Sequence, residues 1–492
     1  MRSLVADIKE KEKIYRKPFC ILTLIYTLAI SAILRANFYY IDDLGRAFWG
    51  YRGFECFSRY IPQYVTVLLH ADTHLTDISP LPQLLAAAIL AAASVITLRL
   101  ITGRDTFTWI EYAAVFPIGL SPYFLECISY KFDAPYMALS VLASVAPLLF
   151  EKRGNIRYAV SVVLGMLVVC MSYQAASGIF PMLVAVLVLE RWNQKENGKD
   201  ILRFLGLSVA SYFAGMMIFA LGIMHPSDDY VSNSIGPLPD LFAHTWRNLK
   251  EYYYLVVTDF KKEWLVLIAL VLIGFLYVTV RESKRKWYFA LAVGAVTLTS
   301  LLVMAFGLYP LLTKTLFDPR AMYGFGVCLG FLSVYGVSHH HTDRKRYALV
   351  KIACFALSWC FFTFSLTYGN ALSVQKTYTD FRMSAVIDDL DDMGLLEPGE
   401  TRMAQITGTI GKAPALEGMR QDYQMLNRLV PILFRDSSWD WGRFTLEHYY
   451  SLNSLKWDTS FDFRDKNLPV VKDSIYHTIR ADAEHVLIEL KY

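Results

Sequence analysis

Charge is scarce in this sequence. Asp, Glu, Lys and Arg make up 19% of its 492 residues, against 55% hydrophobic, and a soluble chain of this size carries more charge. No Cys-x-x-Cys pair occurs among the seven cysteines, so a zinc site built on cysteine has no support. The net charge is only +4, and the basic residues sit in short clusters, which argues against nucleic acid as a partner. No cleavable signal peptide is expected: the charged residues 1–17 lead into an apolar run that is too long and lacks a small-residue cleavage site. There is no long low-complexity segment and no clear internal repeat. One fragment of a phosphate loop, Gly408-x-x-Gly411-Lys412, has Ile406 where a glycine belongs and Ala413 in place of Ser or Thr, which excludes it.

What the chain has instead is a series of apolar runs, several of about 20 residues, enough to cross a bilayer as helices. They fall at about 18–36, 81–101, 107–125, 135–150, 158–172, 178–189, 201–224, 264–280, 287–309, 321–337 and 347–367. Basic clusters occupy every second connection: the start of the chain, then Arg99 and Arg104, Lys152 to Arg157, Arg191 to Lys199, Arg281 to Lys286, and Arg344 to Arg346. Such alternation predicts a cytoplasmic N-terminus and an external C-terminus. The fold class is therefore a polytopic α-helical membrane protein with about eleven transmembrane helices.

The first long external loop, 37–80, carries Phe54, Phe57, Ile61, Tyr64, Val65 and Leu68 at helical spacing. That spacing predicts an amphipathic helix in the interface, bent near Pro62. A second, 225–263, holds an aromatic helical stretch around 246–254. The turn 126–134 is short. From residue 368 the composition becomes polar, and residues 368–492 are long enough for a small external α/β domain. It should open with a helix at 374–390 and close with strands at 475–479 and 485–490. Residues 1–367 form the membrane domain. Cys56 and Cys127 both fall on the external side, where an oxidising compartment would let them pair.

The notable polar residues gather at the external ends of the spans. Asp42-Asp43 follows the first span in the stretch Tyr40-Ile41-Asp42-Asp43-Leu44-Gly45-Arg46. A carboxylate there can take the proton of an attacking hydroxyl, and partial burial raises its pKa toward the working range. The competing reading is a helix cap, although no Glu or Gln follows three residues later to complete a capping box. Arg46 can grip phosphate oxygens in a bidentate way, or simply pair with Asp42 or Asp43. In Tyr130-Lys131-Phe132-Asp133-Ala134-Pro135, Lys131 can hold a phosphate and Asp133 can bind a sugar hydroxyl or act as a second acid/base group, or the stretch merely forms a turn ahead of the next helix. Tyr173-Gln174 and Pro319-Arg320 end and begin spans on the same face. Arg320, at a helix start, suits a lipid phosphate or plain interface anchoring. His70, Asp72, His74 and Asp77 are metal-ligand types at close spacing, whereas His339-His340-His341 should lie on the cytoplasmic side.

In their order and shared face, these motifs make the chain resemble the GtrII-type serotype-converting glucosyl transferases, within the GT-C class of polytopic glycosyltransferases. The resemblance runs over essentially the whole chain. It implies a GT-C-like membrane domain and a donor such as undecaprenyl-phosphate glucose, flipped to the outer leaflet. The sugar would pass to a cell-surface polysaccharide such as O-antigen at the plasma (inner) membrane. An upstream flippase and a polyprenyl-phosphate glucosyltransferase would supply the donor. By that resemblance Asp42 or Asp43 is the base, Asp133 a substrate-site carboxylate, and Arg46, Lys131 and Arg320 the phosphate candidates, with Tyr173 and Gln174 binding substrate. No cofactor or metal is implied. The rival reading, a transporter or lipid flippase, expects charges and broken helices near the bilayer midplane with repeat symmetry, and the sequence offers neither.

Overall fold

The computed structural model describes residues 2–226, 235–236, 238–338, 347–397, 401–436, 441–458 and 461–492. His339 to His341 and the basic cluster Arg344 to Arg346 lie outside the described residues. Ten of the described helices are long and apolar enough to cross a membrane, and the chain is a multi-pass membrane protein.

The first helix, α1 (Arg2–Ala36), is followed by two short helices, α2 (Asp42–Trp49) and α3 (Tyr60–His70), and then by α4 (Leu81–Thr102). The predicted interfacial helix is thus in two parts, a 3₁₀ turn at Phe54–Phe57 and α3 itself. Pro62 sits in the first turn of α3, where its missing N–H breaks no helical bond. Tyr64, Val65 and Leu68 remain exposed, as an interfacial helix requires.

The predicted third span, 107–125, is not one helix. It is broken into α5 (Trp109–Val115), α6 (Pro117–Leu120) and α7 (Pro122–Ser129). Pro117 and Pro122 each begin a new segment, because proline has no N–H for the helix it would continue. Helix α7 carries on through Glu126 to Ser129, so the turn before α8 (Ala134–Val145) is only Tyr130 to Asp133. Next come α9 (Asn155–Ser172), α10 (Ile179–Asn193), α11 (Gly198–Gly222), α12 (Leu241–Asp259), α13 (Lys262–Glu282), α14 (Trp287–Met304), α15 (Pro319–Ser338) and α16 (Ala348–Asp392). Cys56 and Cys127 are separate thiols, not a bridge.

Helix α15 is the buried centre of the bundle. A Cβ at Gly326 would come within 2.1 Å of Ser121, so glycine is what lets α15 reach the broken segment. Helices α1 and α16 are equally close: a Cβ at Gly369 would meet the Ala32 backbone at 2.4 Å, and Ser365 Oγ donates to Ala29 O at 2.8 Å.

Residues 367 and 368 lie inside α16, which continues without a break into the C-terminal region. There β1 (Arg402–Gly408), α17 (Glu417–Asp422), α18 (Leu426–Leu429), α19 (Trp441–Tyr449), β2 (Leu455–Trp457), β3 (Val470–Asp473), β4 (His477–Ala481) and β5 (His485–Leu490) follow. The five strands form one mixed sheet in the order β2-β1-β5-β4-β3. β1 runs parallel to both neighbours and β4 antiparallel to both of its own. The far end of α16, through Met383, Val386 and Leu390, packs with Ile406, Ile479 and Ile488 of the sheet.

Candidate active site

The backbone tightens where α1 gives way to α2. Ile41, the residue before the aspartate pair, has φ 47°, a conformation that a β-branched residue holds only when its surroundings impose it. Asp42 and Asp43 are the first two helical residues. Asp43 Oδ2 accepts hydrogen bonds from Tyr40 N at 3.1 Å and Lys131 N at 2.9 Å, which ties α2 to the Tyr130–Asp133 turn. Its other oxygen, Oδ1, is buried without a partner among the described residues. Burial pushes the Asp43 carboxyl up to about 8, against the pull of the Lys131 N–H and Arg46 and with the Asp133 charge adding to the rise. Asp42 is only partly buried, and its carboxylate has no hydrogen bond or ion pair among the described residues.

Arg46 lies buried one turn into α2. It pairs with Asp133 and not with the aspartates of its own helix, and its guanidinium lies 4.3 Å from the centre of the Phe54 ring. Asp133 stands at the N-cap of α8 but makes no capping hydrogen bond, since Arg46 takes its carboxylate. Lys131 is held in place as well. Its Nζ bonds Asn37 Oδ1 at 2.5 Å and Asp77 Oδ2 at 2.7 Å, and lies 3.8 Å over Tyr39. Asp77 is thereby drawn away from any metal cluster, and His70 stacks on Phe132. Among the described residues no group of three or more His, Cys, Asp or Glu is arranged to hold a metal ion.

The start of α15 adds a second ionic group. Arg320 donates its backbone N–H to Glu126 Oε2 at 2.7 Å, and its guanidinium reaches Glu126, Asp318 at 3.1 Å, and the Tyr130 hydroxyl. Tyr130 packs edge-on against Tyr40 at 4.9 Å, linking this group to Asp43. Tyr173 stacks on Tyr323, and its buried hydroxyl has no partner among the described residues. Gln174 points elsewhere, donating to Phe57 O at 3.4 Å.

Three groups carried no signal in the sequence. Glu126 falls at the end of an apolar run, yet it is buried and pairs with Arg320. The Arg59 guanidinium lies over the rings of both Tyr173 and Phe57. Arg428, from α18, reaches across to Asp259. Between α1, α4 and α16 is a cavity of about 250 Å³ lined by Lys131, by the polar Asn37, Ser79, Gln83 and Ser129, and by the apolar Ile33, Leu34, Phe38 and Leu372. The whole arrangement holds anions and cations in close pairs at one end of the bundle, with one open carboxylate and several polar atoms unpartnered among the described residues.

The profile of the family described as Glucosyl transferase GtrII matches residues 31–331, well over half of the chain. The chain belongs to the GtrII glucosyl transferase family. The GtrII match includes every residue of the ionic cluster from Asp42 to Arg320 and ends before the C-terminal sheet. A similar protein is an uncharacterized 55.3 kDa protein in the gtrB 5′ region of Salmonella phage P22. It is 22% identical over 460 residues, 91% of this GtrII chain and 92% of the phage protein. No solved structure matches. Membership gives the GtrII chain glycosyltransferase activity in a membrane setting.

Proposed function

We propose that this protein transfers glucose, or a related sugar, from a polyprenyl-phosphate carrier such as undecaprenyl-phosphate to a cell-surface polysaccharide such as O-antigen. The observation that carries this reading is the buried ionic cluster of α2, the Tyr130–Asp133 turn and the start of α15, all inside the family-matching segment. Residues 1–367 carry the chemistry in a GT-C-like membrane domain of the plasma membrane, and residues 368–492 form the external domain. The N-terminus is cytoplasmic. A flippase and a polyprenyl-phosphate glucosyltransferase act upstream to make the donor.

The acceptor hydroxyl attacks the anomeric carbon with inversion. Its oxygen–carbon bond forms as the bond from that carbon to the phosphate oxygen breaks. The polyprenyl phosphate leaves with the electron pair, and the hydroxyl proton passes to a carboxylate. Asp42 is the candidate base, because its carboxylate is partly exposed and unpaired and an incoming hydroxyl can reach it. Asp43 is sealed, with one oxygen committed to two N–H groups, and acts as a positioning residue for the Lys131 turn. Asp133 orients Arg46, and positive charge around the site offsets the charge of the leaving phosphate. The cavity beside Lys131 offers a mixed polar and apolar lining to a lipid-linked donor.

The test is a transfer assay in detergent with undecaprenyl-phosphate glucose and isolated surface polysaccharide. Asp42→Asn should lower kcat by roughly 10²- to 10⁴-fold with donor KM little changed. Full turnover by Asp42→Asn, together with loss in Asp43→Asn, would reverse the assignment of the base. No transfer by the wild-type protein from any polyprenyl-phosphate sugar would end the donor reading.

A further inference from the structure

Three cations of the cluster are already neutralised. Arg46 faces Asp133, Lys131 faces Asp77, and Arg320 faces Glu126 and Asp318. Each of these residues shapes the site, but each meets an arriving anion with its charge already offset. Arg59 differs. Among the described residues no carboxylate lies within ion-pair distance of it. Its buried Nε has no hydrogen-bond partner among the described residues, and its terminal nitrogens make no hydrogen bond to them, so a partly exposed side chain can meet a ligand.

The guanidinium is held in place all the same. It lies 4.6 Å from the centre of the Tyr173 ring and 5.0 Å from that of Phe57. The two aromatic contacts hold the guanidinium, and its terminal nitrogens make no hydrogen bond among the described residues, which suits contact with an oxyanion. The hydroxyl of Tyr173, buried and without a partner among the described residues, supplies a second donor. Arg59 and Arg320 both act on this tyrosine, which places it at the edge of the ionic cluster. Arg59 stands at the N-cap of α3, an interfacial helix whose exposed Tyr64 and Leu68 would set it at the level of lipid headgroups.

We infer that Arg59, with the Tyr173 hydroxyl, binds the phosphate oxygens of the lipid-linked donor and keeps hold of them as the sugar leaves. The inference rests on the donor reading above. It also assigns the primary phosphate contact to a residue other than the three cations that the sequence singles out.

The test is binding of undecaprenyl phosphate to the full-length protein in detergent, with undecaprenol, inorganic phosphate and phosphatidylglycerol as parallel probes. Wild-type protein should bind undecaprenyl phosphate far more tightly than the other three. Arg59→Gln, which keeps the apolar stem against the rings, should weaken that binding roughly ten- to a hundredfold, the worth of a charged hydrogen bond. It should leave undecaprenol binding unchanged, and in the transfer assay it should raise donor KM more than it lowers kcat. Arg59→Lys, with charge but no fork, should fall between. If Arg59→Gln does not fold, wild-type affinity in Arg59→Lys overturns the assignment to the guanidinium. Wild-type affinity in folded Arg59→Gln overturns the inference and leaves the donor reading standing. Equal, Arg59-dependent binding of inorganic phosphate or phosphatidylglycerol overturns the lipid-linked assignment. Failure of the wild-type protein to bind undecaprenyl phosphate removes both.

Discussion

The two oxygens of Asp43 have different fates, and the difference makes the residue sensitive to pH. Oδ2 is satisfied by two backbone N–H groups, while Oδ1 is sealed from water without a partner among the described residues. Burial lifts the folded-state pKa to about 8 from an ordinary 3.8. A raised carboxyl favours the folded state at low pH. As pH rises from about 4 the unfolded chain gives up its proton while the folded one keeps it, so stability falls until about 8 and then levels. Asp43→Asn keeps an acceptor for the two N–H groups and removes the titration. Its thermal midpoint should therefore gain on the wild type steadily between pH 5 and pH 8. Parallel curves for the two proteins would mean that Asp43 does not titrate in this window. At this scale the sequence was partly legible. Asp42, Asp43, Arg46, Lys131 and Asp133 stand out because polar residues at the ends of apolar spans are conspicuous. Their partners are not, since nothing local says that Lys131 meets Asp77, 54 residues away. Arg59 was illegible for the same reason: that no carboxylate among the described residues pairs with it is visible only in three dimensions.

At the scale of elements, α16 is the surprise. The polar composition after residue 367 reads as the end of a span and the start of a separate helix, yet 45 residues form one helix, about 68 Å long at 1.5 Å per residue. That is more than twice the roughly 30 Å hydrocarbon core, so the helix leaves the membrane as a strut. Its extension is docked by Arg382, whose guanidinium is buried and donates to the carbonyls of Tyr476 and Lys491 and to the Tyr378 hydroxyl. Thr377 is exposed on this strut, so a substitution there acts through the backbone. Thr377→Pro should cost roughly 3 kcal/mol or more and reduce transfer severely, whereas Thr377→Ala should be near neutral. Comparable transfer and thermal unfolding in both variants would mean that the C-terminal region does not depend on a continuous helix. The spans themselves were legible because about 20 apolar residues have few other uses. The broken segment α5–α7 was not, because a run of apolar residues looks the same whether it is straight or interrupted, and the interruption matches the packing of α15 against Ser121.

Across the whole molecule, the C-terminal region closes over the cluster through contacts that no single element contains. The carbonyl of Leu429 accepts hydrogen bonds from Tyr40 at 3.0 Å and Tyr368 at 3.2 Å. Phe444 of α19 packs against Trp49 of α2 at 4.4 Å, and His448 against Tyr39 at 4.7 Å. The most consequential of these contacts is Arg428. It pairs with Asp259 at the end of α12 and donates to Phe317 O just before α15, while Tyr123 of α7 donates to the same Asp259 carboxylate at 3.1 Å. Burial raises the Asp259 pKa and Arg428 opposes the rise. Arg428→Ala leaves that carboxylate buried and unpaired, at a cost of about 3 kcal/mol, the lower end for a broken buried pair because Arg428 itself is partly exposed. The loss should appear as faster hydrogen exchange in α18 and α12 together, with the core of α15 unaffected. Adding Asp259→Asn should restore more than half of the protection, because a neutral amide needs no cation. Faster exchange confined to α18 would show that the cap moves independently of α12. No recovery in the double variant would show that Arg428 works through Phe317 O and not through the ion pair.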